Sequence, residues 1–271
     1  MKNWKKILSL LLLSSLLAGA LFSCRSAEQK TPESSTEDMQ ANADFPRAAK
    51  DNLTVCIDAG HGFGDVGCGP AYIDAYEYEI TLLMTELLQG KLEQEGITVL
   101  LTHDGNTFPT AGEITALADQ YGLTYKPENM IDNDVFSAYE RVIWENVLDR
   151  QTDGGLDLFV SLHVNAIEDE PQVSGMSIDY CEDNPSFLFL RGFSKDLKKA
   201  YLDADLTDNF TIFEDSYEDS FIVTKYTEVP SVLIEMGYST NTDDAKRLRS
   251  DKWQNQFTSL LCERICYALG K

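Results

Sequence analysis

Five short apolar runs, separated by longer amphipathic segments, constrain the fold of this chain more than any other feature. The runs are rich in β-branched and aliphatic residues and predict buried strands at 53–58, 98–102, 158–163, 176–180 and 231–235. Apolar residues at helical spacing predict helices at 80–95, 137–150 and 253–269. Strands that alternate with helices predict a layered α/β domain, built on a largely parallel or mixed sheet with helices on both faces.

The N-terminal segment carries the features of an export signal. Lys2, Lys5 and Lys6 precede an uncharged apolar run at 7–22. The run is short for a membrane span, which takes about 20 apolar residues. It ends in the stretch LFSC at 21–24, which resembles the lipobox of bacterial lipoproteins. We therefore expect a signal peptide at 1–23 and lipidation of Cys24, the alternative being ordinary signal cleavage without a role for this cysteine.

Residues 24–51 follow the signal and are dominated by polar residues, alanine and proline. Such a composition cannot bury enough apolar surface to fold, so we expect a disordered tether that begins at the lipidated cysteine. Residues 52–271 are long enough for one domain with its own core. The predicted location is therefore outside the cytoplasm, anchored by lipid to a bacterial membrane, either the outer membrane or the cell surface.

Charge and cysteine content narrow the partners further. The formal net charge of −23 makes nucleic acid a poor partner, and we expect none. Apart from Cys24 the chain has five cysteines, at 56, 68, 181, 262 and 266. An odd number leaves at least one of them unpaired, and the sequence leaves their disulfide state open.

Two of the three histidines, His61 and His163, stand at the ends of predicted neighbouring strands. Ligands of open α/β sheets bind beyond the carboxyl ends of the strands, so these two imidazoles can converge there. A catalytic zinc site usually takes three protein ligands of the His and carboxylate type. Glu77 is the natural third ligand and Glu79 its competitor, while glycines around His61 allow close backbone approach.

Four motifs in this order resemble the zinc-dependent N-acetylmuramoyl-L-alanine amidases, the cell-wall amidases with a type 3 catalytic domain. They are VCIDAGHGFGD at 55–65, a helix-opening Glu77 with Leu82 five residues later, VSLHVN at 160–165 and VPSVLIEMGYSTN at 229–241. The resemblance covers nearly all of residues 53–269. It implies a fold like that of the zinc exopeptidases, also called phosphorylase/hydrolase-like.

The resemblance also implies a reaction and a site. One Zn²⁺ is expected on His61, Glu77 and His163, with Glu235 as the general base for hydrolysis of the amide bond between N-acetylmuramic acid and L-alanine in peptidoglycan. Asp58, Asn165 and Lys225 are candidates for supporting or substrate-contacting roles. We expect Asp58 to accept the second ring hydrogen of His61, since ligating imidazoles usually donate to a carboxylate or carbonyl. Lys225 is an alternative, purely structural partner for Glu235.

Two departures from the family pattern concern the second predicted strand. The usual Thr-Arg stands here as Thr102-His103, and an insertion at about 104–133 follows it. A helix is predicted within the insertion at 113–121. The insertion is interpreted either as a lid over the metal site or as a peripheral surface loop.

Other functions remain open to the sequence. A zinc peptidase of related fold would use the same ligands on ordinary peptides, and a lipoprotein that binds the cell wall without cutting it would need no catalysis. The stem-peptide preference, the oligomeric state and any activator protein are not fixed by the residues.

Overall fold

A single six-stranded sheet organises the domain. The computed structural model describes residues 45–69, 74–125, 136–204, 206, 211–212, 215 and 221–271. The strands are β1 (Thr54–Ala59), β2 (Thr98–Leu101), β3 (Leu158–Asn165), β4 (Gly175–Asp179), β5 (Thr211–Ile212) and β6 (Ser231–Tyr238). Their order across the sheet is β2-β1-β3-β6-β4-β5.

The four central strands set the edge at which ligands would bind. β1 runs parallel to both β2 and β3, and β3 runs parallel to β6, whereas β4 runs antiparallel to β6. The carboxyl ends of β1, β3 and β6 therefore meet at one edge of the sheet. All residues of β1 and β6 are buried, as expected for strands covered on both faces.

The described helices are α1 (Glu77–Gln94), α2 (Ala111–Tyr121), α3 (Ala138–Gln151), α4 (Phe187–Asp203), α5 (Ile222–Lys225), α6 (Thr242–Leu248) and α7 (Asp251–Ala268). α1, α4 and α7 form the larger core with one face of the sheet, through residues such as Leu88, Phe193 and Leu261. α3 and α5 form a smaller core on the other face, around Cys56 and Phe159. Because side chains alternate along a strand, β1, β3 and β6 each contribute to both cores.

The predicted layered α/β fold with helices on both faces is confirmed, and all five predicted strands and three predicted helices are present within a few residues of their predicted bounds. The helix predicted within the insertion is α2. The sequence did not predict α4, α5, α6 or the two-residue β5.

Residues 45–50 were expected to belong to the tether, but they contact the domain. Phe45 packs against Phe189 and Tyr267, with ring centroids 6.0 and 5.8 Å apart. The backbone nitrogen of Arg47 donates to the carbonyl of Ala268 at 2.8 Å. Residues 45–50, which were expected to belong to the tether, therefore pack against the domain through the ring of Phe45 and the backbone of Arg47.

No helix in the described ranges is both long and apolar enough to cross a membrane. The predicted signal peptide at 1–23, Cys24 and the first part of the tether lie outside the described residues.

Candidate metal centre and active site

His61, Glu77 and His163 converge at the carboxyl edge of the sheet. One ligand atom from each lies within 4.8 Å of the others. Glu77 Oε1 is 3.2 Å from His61 Nε2 and 3.1 Å from His163 Nδ1. Both rings are partly exposed while Glu77 is buried. Two imidazoles and one carboxylate around a solvent-accessible point are the donor set of a catalytic zinc site with an open fourth position, so the residues present fit a metal ion.

Glu77 is fixed by the start of α1 and by backbone donors. Its Oε1 accepts from the nitrogen of Val164 at 2.8 Å, and its Oε2 accepts from the nitrogen of Cys68 at 2.9 Å. The competitor Glu79 is exposed and accepts from the nitrogen of Tyr76 at 2.8 Å, as part of the helix cap. Glu77 is therefore the carboxylate of the cluster, and Glu79 closes the cap.

Two glycines create the space that the ligands occupy. A Cβ on Gly60 would lie 2.5 Å from Cε1 of His163, and one on Gly67 would lie 2.5 Å from Oε2 of Glu77. Both distances are far below van der Waals contact. The glycine-rich loop thus lets backbone pack directly on the ligand side chains.

Asp65, in the same loop, accepts a hydrogen bond from His61. Its Oδ2 lies 2.8 Å from His61 Nδ1, which leaves Nε2 directed at Glu77. The partner expected from the sequence was Asp58, and that expectation was wrong. Asp58 is fully buried and accepts instead from Thr102, Ser161 and Arg141. Asp58 lies within β1, three residues before His61, and its buried side chain is held by those three donors, whereas a turn brings Asp65 back to the His61 ring.

Arg141 of α3 binds the backbone at the end of β1 and at the start of the loop that follows it. It donates to Asp58 Oδ1 at 2.7 Å and to the carbonyl of Ala59 at 2.8 Å, and it also donates to the carbonyl of His61. His61 has a φ of 66°, in the left-handed region that non-glycine residues seldom adopt. The guanidinium thereby connects the backbone of His61, a candidate metal ligand in an unusual conformation, to the end of β1.

Glu235 lies beside the cluster on β6, directly across from His163 of β3. It is 8% exposed, and its Oε2 has no hydrogen-bond partner among the described groups. Burial and, after it, the charges of Glu77 and Asp179 together raise the pKa of Glu235 to about 8. A buried carboxyl without a compensating bond next to a metal-ligand cluster is a candidate proton carrier.

The ligand candidates are electrostatically coupled. Burial by itself would raise the pKa of Glu77, but hydrogen bonds from His163 and His61 lower it well below the usual range. Burial would lower the pKa of His61, yet Glu77 and Asp65 raise it to about 9. Because metal ligation needs neutral imidazole, metal uptake at this site releases protons.

Lys225 and Asn165 do not join the cluster in the described structure. Lys225 is exposed at the end of α5, and no ion pair with Glu235 is found among the described residues. The alternative in which Lys225 is a structural partner of Glu235 is therefore not supported, and a role of Lys225 toward the substrate stays a prediction. Asn165 ends β3, and its Oδ1 accepts from the nitrogen of Ala166 at 2.7 Å. Its side chain supports the turn that follows the ligand His163.

His103 and the insertion that follows it contact the glycine-rich loop around His61. His103 Nε2 lies 2.7 Å from the carbonyl of Ala59, so it contacts the same carbonyl as Arg141. Phe108 of the insertion packs on Phe63 with ring centroids 4.3 Å apart. α2 packs against α3 in a small core that includes Ile114 and Ile143. Residues 126–135 lie outside the described ranges, and the lid interpretation stays a prediction.

The five cysteines of the domain are all unpaired. Cys68 is the one nearest the cluster. Its Sγ lies 3.1 Å from the carbonyl of Val164 and from the hydroxyl of Ser239, so it packs behind Glu77.

Comparison with known proteins agrees with this geometry. A family model described as N-acetylmuramoyl-L-alanine amidase matches residues 55–267. The uncharacterized protein YqiI of Bacillus subtilis is 28% identical over 216 residues, covering 78% of this chain and 82% of YqiI. The probable cell wall amidase LytH of Staphylococcus aureus is 25% identical over 72% of this chain, which spans about half (51%) of LytH.

Solved structures show the same fold. The CwlD amidase of Clostridioides difficile, determined in complex with the GerS lipoprotein, superposes with a TM-score of 0.60 at 24% identity, covering 80% of this chain and 98% of that one. The N-acetylmuramoyl-L-alanine amidase AmiC2 of Nostoc punctiforme superposes with a TM-score of 0.56 at 23% identity, covering 81% and 98%.

Proposed function

The chain belongs to the N-acetylmuramoyl-L-alanine amidase family, and from this premise we propose that it holds one zinc ion on His61, Glu77 and His163 and uses Glu235 as the general base. The observation that carries the proposal is the convergence of three ligand atoms within 4.8 Å beside a buried carboxyl that lacks a hydrogen-bond partner. The bond cut is the amide between muramic acid and L-alanine of peptidoglycan.

When bound, zinc would supply Lewis-acid activation of water and of the amide carbonyl. Glu235 accepts the proton of the attacking water on its carboxylate, a role that suits a group within hydrogen-bond reach of the cluster. The water oxygen adds to the carbonyl carbon, and the C–N bond then breaks. Glu235 returns the proton to the departing nitrogen, which leaves as the free amino group of the stem peptide.

Asp65 and Arg141 support this chemistry without touching the substrate. Asp65 holds the His61 ring in the tautomer that leaves Nε2 free to ligate. Arg141 fixes the backbone carbonyls on both sides of Gly60. Both therefore act through the position of His61.

Zinc content and the rate of dye release from labelled peptidoglycan together distinguish a metal ligand from a general base. Glu235→Gln should keep its zinc and lose about 10²- to 10⁴-fold in rate, the usual worth of a general base. His163→Ala should lose zinc and rate together. Glu79→Gln is the matched control, because Glu79 is an exposed glutamate two residues from Glu77 and glutamine can still cap the helix. Full zinc content and rate in His163→Ala would remove this residue from the ligand set.

We further propose that the protein acts outside the cytoplasm and is held to a membrane by lipid on Cys24, the residue that follows the predicted signal peptide. The name of LytH as a cell wall amidase supports the first part, and the lipobox-like stretch at 21–24 supports the second. Cys24→Ala should move the protein from the membrane fraction to the soluble fraction. The CwlD amidase was determined in complex with the GerS lipoprotein, whereas the sequence of this chain does not fix an activator protein.

A further inference from the structure

We propose that the stem peptide of the substrate binds along β4, with the Ser177 hydroxyl as the hydrogen-bonding group of this subsite. The proposal rests on the amidase function. It adds the position of the stem peptide, which is the part of the substrate that leaves when the amide bond is cut.

Ser177 stands in one row with the ligand and the base. In the sheet, β6 lies between β3 and β4. Glu235 is paired with His163 on one side and with Ser177 on the other. Paired residues on neighbouring strands project to the same face. His163, Glu235 and Ser177 therefore form a line across three strands.

Burial of the flanking residues fixes which face this is. Met176 and Ile178, on either side of Ser177, belong to the larger core on the opposite face of the sheet. Ile234 and Met236 do the same for Glu235. Since strand side chains alternate, Ser177 and Glu235 both project to the catalytic face.

The side chain of Ser177 is available to a ligand. It is partly exposed, whereas Glu235 in the same row is buried and His163 is a candidate metal ligand. Among the described groups no hydrogen bond to its hydroxyl is found. Asp179, two residues further on the same face, is buried and already has a polar partner. The hydroxyl of Ser177 thus offers a donor and an acceptor beside the base.

The direction of the substrate follows from the proton transfer. The departing nitrogen receives its proton from Glu235, so it lies toward β6 rather than toward the ligand His163. The peptide that continues from this nitrogen extends away from the cluster, toward β4. Neighbouring strands lie about 4.8 Å apart, and one peptide residue spans about 3.5 Å, so Ser177 lies beyond the first stem residue and within reach of the second.

The test compares two soluble substrates, muramoyl-L-alanine and a muramoyl tripeptide, in wild type and Ser177→Ala. We expect Ser177→Ala to lower kcat/KM about 3- to 10-fold on the tripeptide, as for loss of one hydrogen bond, with little change on muramoyl-L-alanine. The free tripeptide product should inhibit wild type with a lower Ki than it has for Ser177→Ala. Zinc content should stay unchanged.

Two further variants serve as controls. Ser177→Thr keeps the hydroxyl and should retain the wild-type tripeptide Ki, and Ser259→Ala removes an exposed hydroxyl from α7 and should change nothing. Equal losses on both substrates, or an unchanged tripeptide Ki in Ser177→Ala, would overturn the subsite. If wild type with full zinc cuts neither substrate, the amidase function itself fails, and the subsite fails with it.

Discussion

Replacing Gly60 by alanine should empty the metal site while leaving the fold intact. A Cβ at this position would lie 2.5, 2.6 and 2.7 Å from three atoms of the His163 ring. Carbon atoms in contact stay about 3.5 Å apart, so the ring must recede by about 1 Å. Zinc–nitrogen distances hold to within about 0.2 Å, so a ring displaced that far no longer ligates. Loss of a supporting contact to a ligand costs about 10- to 100-fold in metal affinity, and displacement of the ligand itself should cost at least 100-fold.

The measurement is zinc affinity by competition with a chelator, beside thermal unfolding of the metal-free protein. Gly90 provides a matched control, since it lies inside α1 and an added Cβ there meets nothing within 4 Å. Gly90→Ala should keep wild-type zinc affinity and gain about 0.5–1 kcal/mol of stability, as alanine does over glycine in a helix. Wild-type zinc affinity in a folded Gly60→Ala protein would refute the close packing of this loop on His163.

Two further predictions concern buried charged groups. Arg141→Met should lower the free energy of unfolding by about 3–5 kcal/mol, because it leaves the buried Asp58 without its cation, and Asp58→Asn in the same protein should recover part of the loss. Unchanged urea unfolding of the Arg141→Met protein would argue against this pair. Glu145 of α3 is fully buried, and neither carboxyl oxygen has a hydrogen-bond partner among the described groups. Burial, and then repulsion by Asp149, raise the pKa of Glu145 well above its usual value, so the carboxyl destabilises the fold increasingly as pH rises above the unfolded value of about 4.3. Glu145→Gln should therefore match wild type near pH 5 and exceed it by about 1–3 kcal/mol near pH 8, and a stability difference that does not grow with pH would contradict this reasoning.

The layered fold was predictable because its strands are buried on both faces and appear as continuous apolar runs, as in β1. His61, His163 and Glu235 were predictable because each lies at or near the end of such a run. The family motif with its helix-opening glutamate favoured Glu77 over Glu79, whereas apolar spacing alone placed the start of the helix only at about residue 80. The position of the helix start decides between them, because residues two apart on a helix point to nearly opposite sides.

Other features depend on contacts between distant parts of the chain. The partner of Asp58 is Arg141, which lies more than eighty residues further along the chain, and only the packing of α3 under β1 brings the two together. Asp65 was within the quoted motif, but its return to His61 depends on a turn in which Gly62 and Asp65 bond each other's backbone. Residues 45–50 have the composition of a tether and nevertheless dock through Phe45.

The most direct test of the account identifies the bond that is cut. Purified peptidoglycan is incubated with the zinc-loaded protein and, in parallel, with Glu235→Gln, and the soluble fragments are identified by mass spectrometry. We predict free stem peptides that begin with alanine and glycan strands that carry free lactyl carboxyl groups, both absent with the variant. Fragments cut within the stem peptide or within the glycan, or equal release by the two proteins, would contradict it.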